Sequence, residues 1–376
     1  MHAPPFLLIG NPENRRVTLF QEALVSQGLP PAHVVPWLEL LREPSVLADL
    51  PDTERLVRID ATGENFEVEK ALLKQGYEDA RALGCSVLTP EEVEALPEDH
   101  GRILCPRQHH LGFLRALRQL EATFAEHPRW RVLSSPGSIA ELFDKRLTSR
   151  KYAALGIPVP PWLVGVTDVE SLRARMREAG WREVFVKLSC GSSASCLGIY
   201  RLHRSEESLF TTLEPAGTGW YNSLKVRRLR EPRQVEEALT FLLREGSQVE
   251  QALPKARLRH EFFDCRVLVV RGEPAFTVLR QSRHPITNLH LGGKRGDLDT
   301  FLAAVPPREL EAAMKSCREV ARAHDCLHVG IDLMYEAYFQ GHRVLEANAF
   351  GDLLPNLRRD GLSVYAWEIR EALRSE

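Results

Sequence analysis

Three oxygen-bearing side chains in the last fifth of the chain are suited to bind a metal ion. Glu346 and Asn348 stand two residues apart in the apolar stretch VLEANAF, and such residues on a strand project from the same face. Asp332 lies in the preceding apolar stretch, and strand pairing around residues 336–342 would bring its carboxylate to the other two. Oxygen donors suit Mg²⁺, which also shares phosphate oxygens with nucleotides. The alternative is a strand face with unrelated side chains.

A lysine at the end of another apolar stretch precedes a loop that is rich in glycine and serine. Burying the charge of Lys187 at the end of an apolar strand costs free energy unless the ammonium group meets a negative charge. The loop at residues 189–198 contains Ser192 and Ser193, and its N–H and hydroxyl groups could bind phosphate. The lysine comes before the loop and a strand follows it, which differs from the Walker and the dinucleotide-binding motifs. The alternative is a flexible hairpin with a surface lysine.

Two arginines and an asparagine are associated with a predicted β-hairpin. Arg266 shares a strand face with Asp264, Arg280 ends the next strand, and Asn288 follows in TNLHLGG. Guanidinium groups bind phosphate or carboxylate through paired hydrogen bonds, so these residues are candidates for anion binding. The alternative is surface ion pairing, which contributes little.

A further polar group follows the stretch GRILCP, which we predict to be a strand. Arg107, His109 and His110 come directly after it. Ligands of open α/β sheets bind beyond the carboxyl ends of the strands, so these residues are candidate substrate contacts. The alternative is that they have surface or packing roles.

The elements that would position these residues are predicted to form three units. Alternating strands and helices over residues 1–135 predict an open, mainly parallel α/β sheet. Within it, residues 67–84 are predicted to form one helix. Residues 139–156, which include Lys145, are predicted to form another helix in the next unit. Residues 136–246 are predicted to form a central unit with the phosphate loop, and residues 247–376 a C-terminal unit with the metal site.

Bulk properties exclude several classes of function. The net charge is −2 over 376 residues, so nothing favours a nucleic-acid or membrane-surface partner. The longest apolar runs are too short to cross a bilayer, and the N-terminal stretch lacks the features of a signal peptide. Seven scattered cysteines without a C-x-x-C pair argue against a disulfide framework and a zinc site. We therefore expect a reducing, cytoplasmic setting.

The order of these pieces resembles the ATP-grasp superfamily. The helix with the sequence DK is followed by GIPVP, the strand lysine with its small-residue loop, VEQAL, DCRV, the arginine with TNLHLGG, GID and EAN. The match runs over residues 133–356 and looks like the carboxylate–amine ligases that include ribosomal-protein glutamate ligases and glutathione synthetases. The resemblance is to a divergent member. It implies an N-terminal open parallel α/β domain and two α+β subdomains that clasp ATP.

The resemblance also implies a set of nucleotide contacts. Lys145, Lys187 and the loop with Ser192 and Ser193 would contact the phosphates of ATP. A hinge would pair with adenine, largely through backbone groups, and Glu261 is the nearest candidate for the ribose. The residues of the hinge would be Glu250, Gln251, Ala252 and Leu253.

For the metal, the resemblance implies that Asp332, Glu346 and Asn348 hold one or two Mg²⁺ ions, with Mn²⁺ as the alternative ion. Arg280, with Arg266 and Asn288, would stabilise the charge that develops at the transferred phosphoryl group and at the acyl centre.

The implied activity is ATP-dependent ligation of a carboxylate to an amine through an acyl phosphate, with release of ADP and phosphate. The substrates would be small molecules or peptides, and the implied assembly is a homodimer. Two other functions stay open at this point, which are a kinase-like phosphotransferase and a non-catalytic ATP-binding protein.

Overall fold

The structure is a computed structural model, and it describes residues 4–190, 196–204, 206–217, 219–351 and 354–374. Over these residues the chain forms a parallel sheet followed by two larger, antiparallel sheets and a short two-stranded ribbon. None of the helices in this part of the chain has both the length and the apolar character needed to span a membrane.

The N-terminal sheet is parallel, as the alternation of strands and helices predicts. Its strands are β1 (Phe6–Gly10), β2 (His33–Pro36), β3 (Arg55–Ile59) and β4 (Trp130–Val132), in the order β2-β1-β3-β4. Leu7 and Ile9 pack into the core on one face, and Phe6 and Leu8 pack into a second core on the other. Both faces are covered, which explains why β1 is an uninterrupted apolar run.

Helices surround this sheet. They are α1 (Arg15–Ser26), α2 (Trp37–Arg42), α3 (Ser45–Ala48), α4 (Phe66–Gln75), α5 (Tyr77–Ala82), α6 (Pro90–Glu94) and α7 (Pro106–Ala125). The prediction of a strand at residues 101–106 is wrong. In this stretch Arg102 forms an isolated bridge with Tyr221, and α7 begins at Pro106. Proline has no N–H to give to a sheet, but it fits the first turn of a helix.

The predicted single helix at residues 67–84 is interrupted at Gly76. Here α4 ends and α5 begins, and the backbone crosses α7 at Gly112. A Cβ atom on Gly76 would lie 2.0 Å from the carbonyl oxygen of Gln108, and one on Gly112 would lie 1.9 Å from that of Leu72. Two glycines therefore allow the helices to cross at backbone contact.

The predicted single helix at residues 139–156 also divides. It consists of α8 (Pro136–Leu142) and α9 (Lys145–Ala154). Asp144 has extended backbone angles, and its carboxylate accepts hydrogen bonds from the N–H groups of Arg146 and Leu147. An aspartate in this position caps a helix that starts at the next residue. Lys145 is thus the first residue of α9 rather than part of a helix interior.

The central sheet contains the strands on either side of the loop that is predicted to bind phosphate. Its strands are β5 (Trp162–Leu163), β6 (Glu183–Leu188), β7 (Leu197–His203), β8 (Glu206–Ala216), β9 (Gly219–Leu229) and β10 (Ser247–Gln251), in the order β5-β10-β6-β7-β8-β9. Its helices are α10 (Val169–Glu178) and α11 (Pro232–Arg244). The antiparallel pairing of β6 with β7 confirms the predicted strand–loop–strand arrangement after Lys187. The predicted boundary at residue 247 falls immediately before β10, which pairs within this sheet.

The C-terminal sheet contains both predicted hairpins. Its strands are β11 (Arg257–Leu258), β12 (Glu261–Val270), β13 (Glu273–Ser282), β14 (Lys294–Arg295), β15 (His328–Tyr335) and β16 (His342–Asn348), in the order β14-β13-β12-β15-β16 with β11 against β12. The remaining elements are α12 (Leu298–Ala304), α13 (Pro307–Arg322), β17 (Arg358–Arg359), β18 (Leu362–Ser363), α14 (Val364–Leu373) and 3₁₀ turns at Leu289–Leu291 and Ala337–Phe339. Arg271 and Gly272 both have positive φ in the turn between β12 and β13, as a type I′ turn requires.

Several contacts join the larger sheets to the N-terminal sheet, among them those of α14 and of the β8–β9 hairpin. Helix α14 returns to the N-terminal sheet, where Tyr365 and Ile369 complete the core around Phe20. The β8–β9 hairpin reaches the same unit, because the N–H of Asn222 donates to the carbonyl oxygen of Gly101 at 2.7 Å. The three sheets therefore enclose a space between them.

We expect Gly76→Ala to lower the free energy of unfolding by about 3 kcal/mol, because the new methyl group would meet backbone atoms that cannot rotate away. Chemical denaturation followed by circular dichroism measures this. Gly63→Ala is the matched control, since a Cβ atom there meets nothing within 4 Å. Equal stability of the two variants would contradict the close helix crossing.

Candidate active site

A cavity of about 1340 Å³ lies where the three sheets meet. Pockets for single drug-sized ligands have volumes of about 300–1,000 Å³, so this cavity has room for more than one ligand. Most of the residues that the sequence predicts for the site line it. They are Lys145, Lys187, Glu250, Gln251, Leu253, Arg266, Arg280, Asn288, Asp332, Glu346 and Asn348. Residues far apart in the sequence are therefore brought to one place.

The three predicted metal donors lie on neighbouring strands. The Cα atom of Asp332 on β15 pairs with that of Glu346 on β16, and Gly330 pairs with Asn348. This confirms the predicted hairpin and its register. The side-chain nitrogen of Asn348 donates a hydrogen bond to the carbonyl oxygen of Gly330 at 3.3 Å. This bond does not use the side-chain amide oxygen, which is the atom that would bind a metal ion.

The donor set suits a hard cation, although Asp332 is engaged by other groups. Among the described residues, no cluster of three or more His, Cys, Asp or Glu side chains could hold a metal ion. Two carboxylates and one amide oxygen nevertheless fit Mg²⁺, which keeps several of its waters. The carboxylate of Glu346 is partly exposed to the cavity and lies 3.4 Å from Nζ of Lys145. Glu346 and Asn348 could bind such an ion as they stand. Asp332 would first have to give up a hydrogen bond with Arg266 or Arg280.

Four buried charged residues form a continuous ladder on β13, β12 and β15. Asp264 on β12 stands opposite Arg280 on β13, and Arg266, two residues after Asp264, stands opposite Asp332 on β15. Because residues two apart share a strand face, the four side chains meet on the side of the sheet that faces the cavity. We call these residues the charge ladder.

The charge ladder is closely hydrogen-bonded. Arg266 donates to both carboxylate oxygens of Asp332, from Nε at 2.5 Å and from Nη2 at 3.1 Å. Arg280 donates from Nε to Asp264 at 2.6 Å and lies 3.0 Å from Asp332 through Nη2. Burial alone would raise the pKa of Asp332, but the two arginines outweigh it and hold the pKa well below its usual range.

Lys187 has the negative partner that its position in the sequence requires. Its Nζ lies 2.6 Å from Oε2 of Glu250 on the adjacent strand β10. The other oxygen of Glu250 accepts from the side-chain amide of Gln248 at 2.9 Å. Burial opposes the charge on Lys187, but Glu250 outweighs it and raises the pKa of the lysine. Lys187 therefore stays positively charged inside the cavity.

Lys145 is positioned by the cap of α9 and by the strand that carries Lys187. Asp144 fixes the start of α9, and the N–H of Lys145 donates to the carbonyl oxygen of Ser189 at 2.9 Å. This bond ties the first turn of α9 to the segment that follows β6. The predicted phosphate-loop residues Ser192 and Ser193 lie outside the described residues.

The predicted adenine hinge follows β10, and its N–H groups are engaged within the protein. Those of Gln251, Ala252 and Leu253 donate to the carbonyl oxygens of Pro161, Glu183 and Gln251, respectively. A nucleotide base would have to displace one of these bonds to use an N–H group here. The role of the hinge stays a prediction.

Two of the predicted nucleotide contacts lie apart from the lining that the described residues give the cavity. Ala252 is in the hinge but does not face the cavity. Glu261, the predicted ribose contact, forms an ion pair with Lys294 at 2.9 Å. Glu261 is not among the described residues that line the cavity, so the geometry offers no support for that role.

The histidines at the start of α7 border the cavity even though the predicted strand before them is absent. His109 and His110 both line it. Burial lowers the pKa of each to about 4, so both are neutral at pH 7. Arg107 interacts with the thiol of Cys190, next to Lys145. Their contact with a substrate stays a prediction.

Sequence reasoning missed two residues of the site. Lys255 lines the cavity and donates from Nζ to the carbonyl oxygen of Pro285 at 3.0 Å. Thr287 donates from its hydroxyl to the second oxygen of Asp264. Both lie in irregular segments, where no periodicity indicates the direction of a side chain. The only available signal is the acidic partner Asp264, whose position in the hairpin was predictable.

Known proteins resemble this chain in three-dimensional structure, whereas no match to its sequence was found. The sequence matches no protein-family model and none of the curated proteins. Among solved structures, the ATP-grasp ligase PsnB complexed with precursor peptide PsnA2 and AMPPNP matches over 100% of both chains, with a TM-score of 0.53 and 14% identity.

The chain has the ATP-grasp fold.

Two further ATP-grasp comparisons extend over nearly the whole chain. The D-cycloserine synthetase DcsG has a TM-score of 0.55 and 14% identity over 98% of this chain and 99% of its own. The macrocyclase MdnC from Microcystis aeruginosa MRC, bound with precursor peptide MdnA, has a TM-score of 0.52 and 12% identity over 98% of this chain and 99% of its own. Such low identities establish the ATP-grasp fold of this chain, and its chemistry has to be argued from its own residues.

We expect Asp332→Asn to lower the free energy of unfolding by about 3–5 kcal/mol, since it leaves two buried arginines with one carboxylate between them. Chemical denaturation at pH 7 measures this. Glu273→Gln is the control, because it removes an exposed ion pair with Arg318 and should change stability by less than about 1 kcal/mol.

The effect of Asp332→Asn should also depend on pH. A carboxylate whose pKa is lowered by folding stabilises the protein above its unfolded pKa of about 3.9. That contribution is lost as the pH falls from there through the folded pKa. The difference between the wild type and the variant should therefore shrink below about pH 4. A difference that is independent of pH would contradict a charged Asp332.

Proposed function

We propose that the protein is an ATP-dependent carboxylate–amine ligase that forms an amide or peptide bond through an acyl phosphate and releases ADP and phosphate. One observation carries the proposal, which is that Lys145, Lys187, Glu346 and Arg280 converge on a single cavity. The ATP-grasp fold supports it, as do structures of PsnB with AMPPNP and with Mg and ADP.

Binding of the triphosphate would fall to the two lysines. Lys187 is held by Glu250, so its ammonium group is fixed before a nucleotide enters, and Nζ of Lys145 lies 3.4 Å from Glu346. Cations held in place lower the barrier to phosphoryl transfer, since little reorganisation is left for the reaction itself. The partial burial of both lysines strengthens their attraction for phosphate.

The same cavity would hold the metal ion. Glu346 and Asn348, together with Asp332, would bind one or two Mg²⁺ ions, or Mn²⁺ in their place. The ion would neutralise charge on the phosphate oxygens. Because Lys145 contacts Glu346 in this structure, a shift of Lys145 toward the phosphates would release that carboxylate as a donor.

The charge ladder would act on the reacting groups. Arg280 and Arg266 are oriented by Asp264 and Asp332, so their guanidinium groups are held at the lining of the cavity before a new anion enters. We propose that Arg280, with Arg266 and Asn288, stabilises charge on the transferred phosphoryl group and on the acyl oxygen.

The chemistry explains why such a site is needed. A carboxylate is a poor acyl donor because its leaving group would be oxide. Transfer of the γ-phosphoryl group gives an acyl phosphate, which an amine attacks with loss of phosphate. Since an acyl phosphate also reacts with water, the site must exclude solvent. The loop after Lys187 is proposed as the lid, and most of it lies outside the described residues.

The substrates are proposed to be small-molecule or peptide carboxylates and amines. The cavity has room for a nucleotide and a second ligand. PsnB and MdnC are complexed with precursor peptides, and DcsG is a D-cycloserine synthetase, so the fold serves ligands of both sizes.

The free state of all seven cysteines supports a reducing, cytoplasmic setting. The homodimer and the three-domain division stay predictions.

We expect the wild-type protein to release ADP and phosphate only when MgATP, a carboxylate and an amine are all present. A coupled ADP assay over amino acids and short peptides measures this, with each component omitted in turn. Release of AMP would refute an acyl-phosphate ligase. A stable phosphorylated product formed without an amine would instead favour the kinase-like alternative.

We expect Lys187→Met to lower kcat/KM for ATP by about 10²-fold or more, because a fixed cation at the phosphates is lost. The substitution leaves Glu250 buried and unpaired, so Lys187→Met/Glu250→Gln serves as the neutral, stability-matched variant. Lys315→Met is the control for loss of a surface lysine. Steady-state kinetics and thermal unfolding separate the effects, and full activity of the double variant would contradict the assigned role.

A further inference from the structure

Lys255 is a buried lysine of the cavity that the roles assigned so far leave unused. It lies between the hinge after β10 and the start of β11, and it lines the cavity beside the charge ladder. Its backbone forms a bridge with Glu336, and the N–H of the next residue, Ala256, donates to the carbonyl oxygen of Tyr335. The position of its side chain is therefore fixed by backbone pairing on the edge of the C-terminal sheet.

The surroundings of Lys255 differ from those of the other two cavity lysines. Lys187 and Lys145 lie 2.6 and 3.4 Å from carboxylates. Nζ of Lys255 lies 3.8 Å from Asp264, whose oxygens already accept hydrogen bonds from Arg280 and Thr287. The bond to Pro285 is to a neutral carbonyl group. Lys255 therefore lacks a carboxylate as close as those beside the other two lysines.

The charged groups around Lys255 act in both directions. Burial lowers the pKa of Lys255, and the positive charges of Arg280 and Lys187 lower it further. The carboxylates of Asp264 and Asp332 act against this. The net effect is a lowered pKa, which favours the neutral amine with a free electron pair at a pH where ordinary lysines are charged.

We propose that Lys255 is the general base that takes a proton from the ammonium group of the acceptor amine. The proposal rests on the ligase function proposed above. Lys255 is suited to the role because it borders the same cavity as Arg280, the residue assigned to the acyl centre, and connects to it through Asp264. Neutral Lys255 retains an N–H group for the carbonyl oxygen of Pro285 while its lone pair accepts the proton.

The step balances in protons and electrons. The acceptor enters as an ammonium ion, and one proton moves to Nζ of Lys255. The lone pair of the neutral amine then forms the C–N bond to the acyl carbon. The bond between that carbon and the bridging oxygen breaks, and its electrons leave with phosphate. Phosphate carries away the second proton of the nitrogen, and Lys255 returns its proton to solvent.

The first test measures the protonation of Lys255 directly and does not need turnover. Competitive labelling of the full-length protein with acetic anhydride, followed by mass spectrometry, gives the pH at which each lysine becomes reactive. The midpoint for Lys255 should lie below that for the exposed Lys315, which is the internal reference. A midpoint equal to or above that of Lys315 overturns the proposal.

The second test compares two acceptors in the ADP assay. Hydroxylamine is uncharged at neutral pH and traps acyl phosphates as hydroxamates, so it needs no base. The amine that supports turnover in the screen above does need one. In Lys255→Met the ratio of hydroxylamine to amine turnover should rise by about 10²-fold over the wild type, the size typical of general-base catalysis. An unchanged ratio overturns the proposal.

A conservative variant separates a base from a positive charge. Lys255→Arg supplies a permanent positive charge but cannot accept a proton, so its ratio should match that of Lys255→Met. Restoration of amine turnover by arginine overturns the proposal in favour of a purely electrostatic role. If the wild type released no ADP with either acceptor, the ligase function itself would be refuted. That result is distinguishable from failure of the base alone, in which the wild type turns over and the ratio stays unchanged.

Discussion

The charge ladder on β13, β12 and β15 is the interaction on which the site depends. A buried arginine loses its hydration and has to recover that energy from fixed anions. Asp264 and Asp332 supply it through bonds that engage Arg280 and Arg266 from defined directions. The guanidinium groups are thereby held at the floor of the cavity before any ligand arrives. The sheet supplies this geometry through its register, which sets each acid beside a base.

The lysines of the cavity also lie beside carboxylates, as the arginines of the charge ladder do. The cations Lys145, Lys187, Arg266 and Arg280 line the same cavity as the carboxylates Glu250, Asp264, Asp332 and Glu346. These four cations equal the four carboxylates in number, and Lys255 is proposed to be neutral, so the charges of these residues balance. Such a balance avoids the cost of isolated buried charges while keeping each cation close to where a phosphate would lie.

Much of this site could be predicted because strand pairing follows from local patterns. Glu346 and Asn348 share a strand face, and the turn at Arg271 and Gly272 fixes which residues of β12 and β13 stand opposite each other. Lys187 was predicted to need an anion, but not Glu250 in particular, since that contact depends on which distant strand pairs with β6. Long-range pairing is not encoded in any short stretch of sequence.

Other features were beyond the reach of sequence patterns. Helical periodicity continues smoothly through Gly76 and Asp144, although the first marks a crossing with another helix and the second caps a new one. Lys255 lies in an irregular segment, where a lysine usually faces solvent. Its burial results from backbone pairing with residues about 80 positions later in the chain.

The packing of α14 against the N-terminal sheet has a consequence for biosynthesis. Strand β1 and helix α1 leave the ribosome early, but the apolar face around Phe20 is covered only when Tyr365 and Ile369 emerge. Buried Arg58 likewise meets Glu368 only at that stage. The N-terminal sheet thus completes its core only after residues 365–369 have been translated, and the nascent chain must keep that surface from aggregating until then.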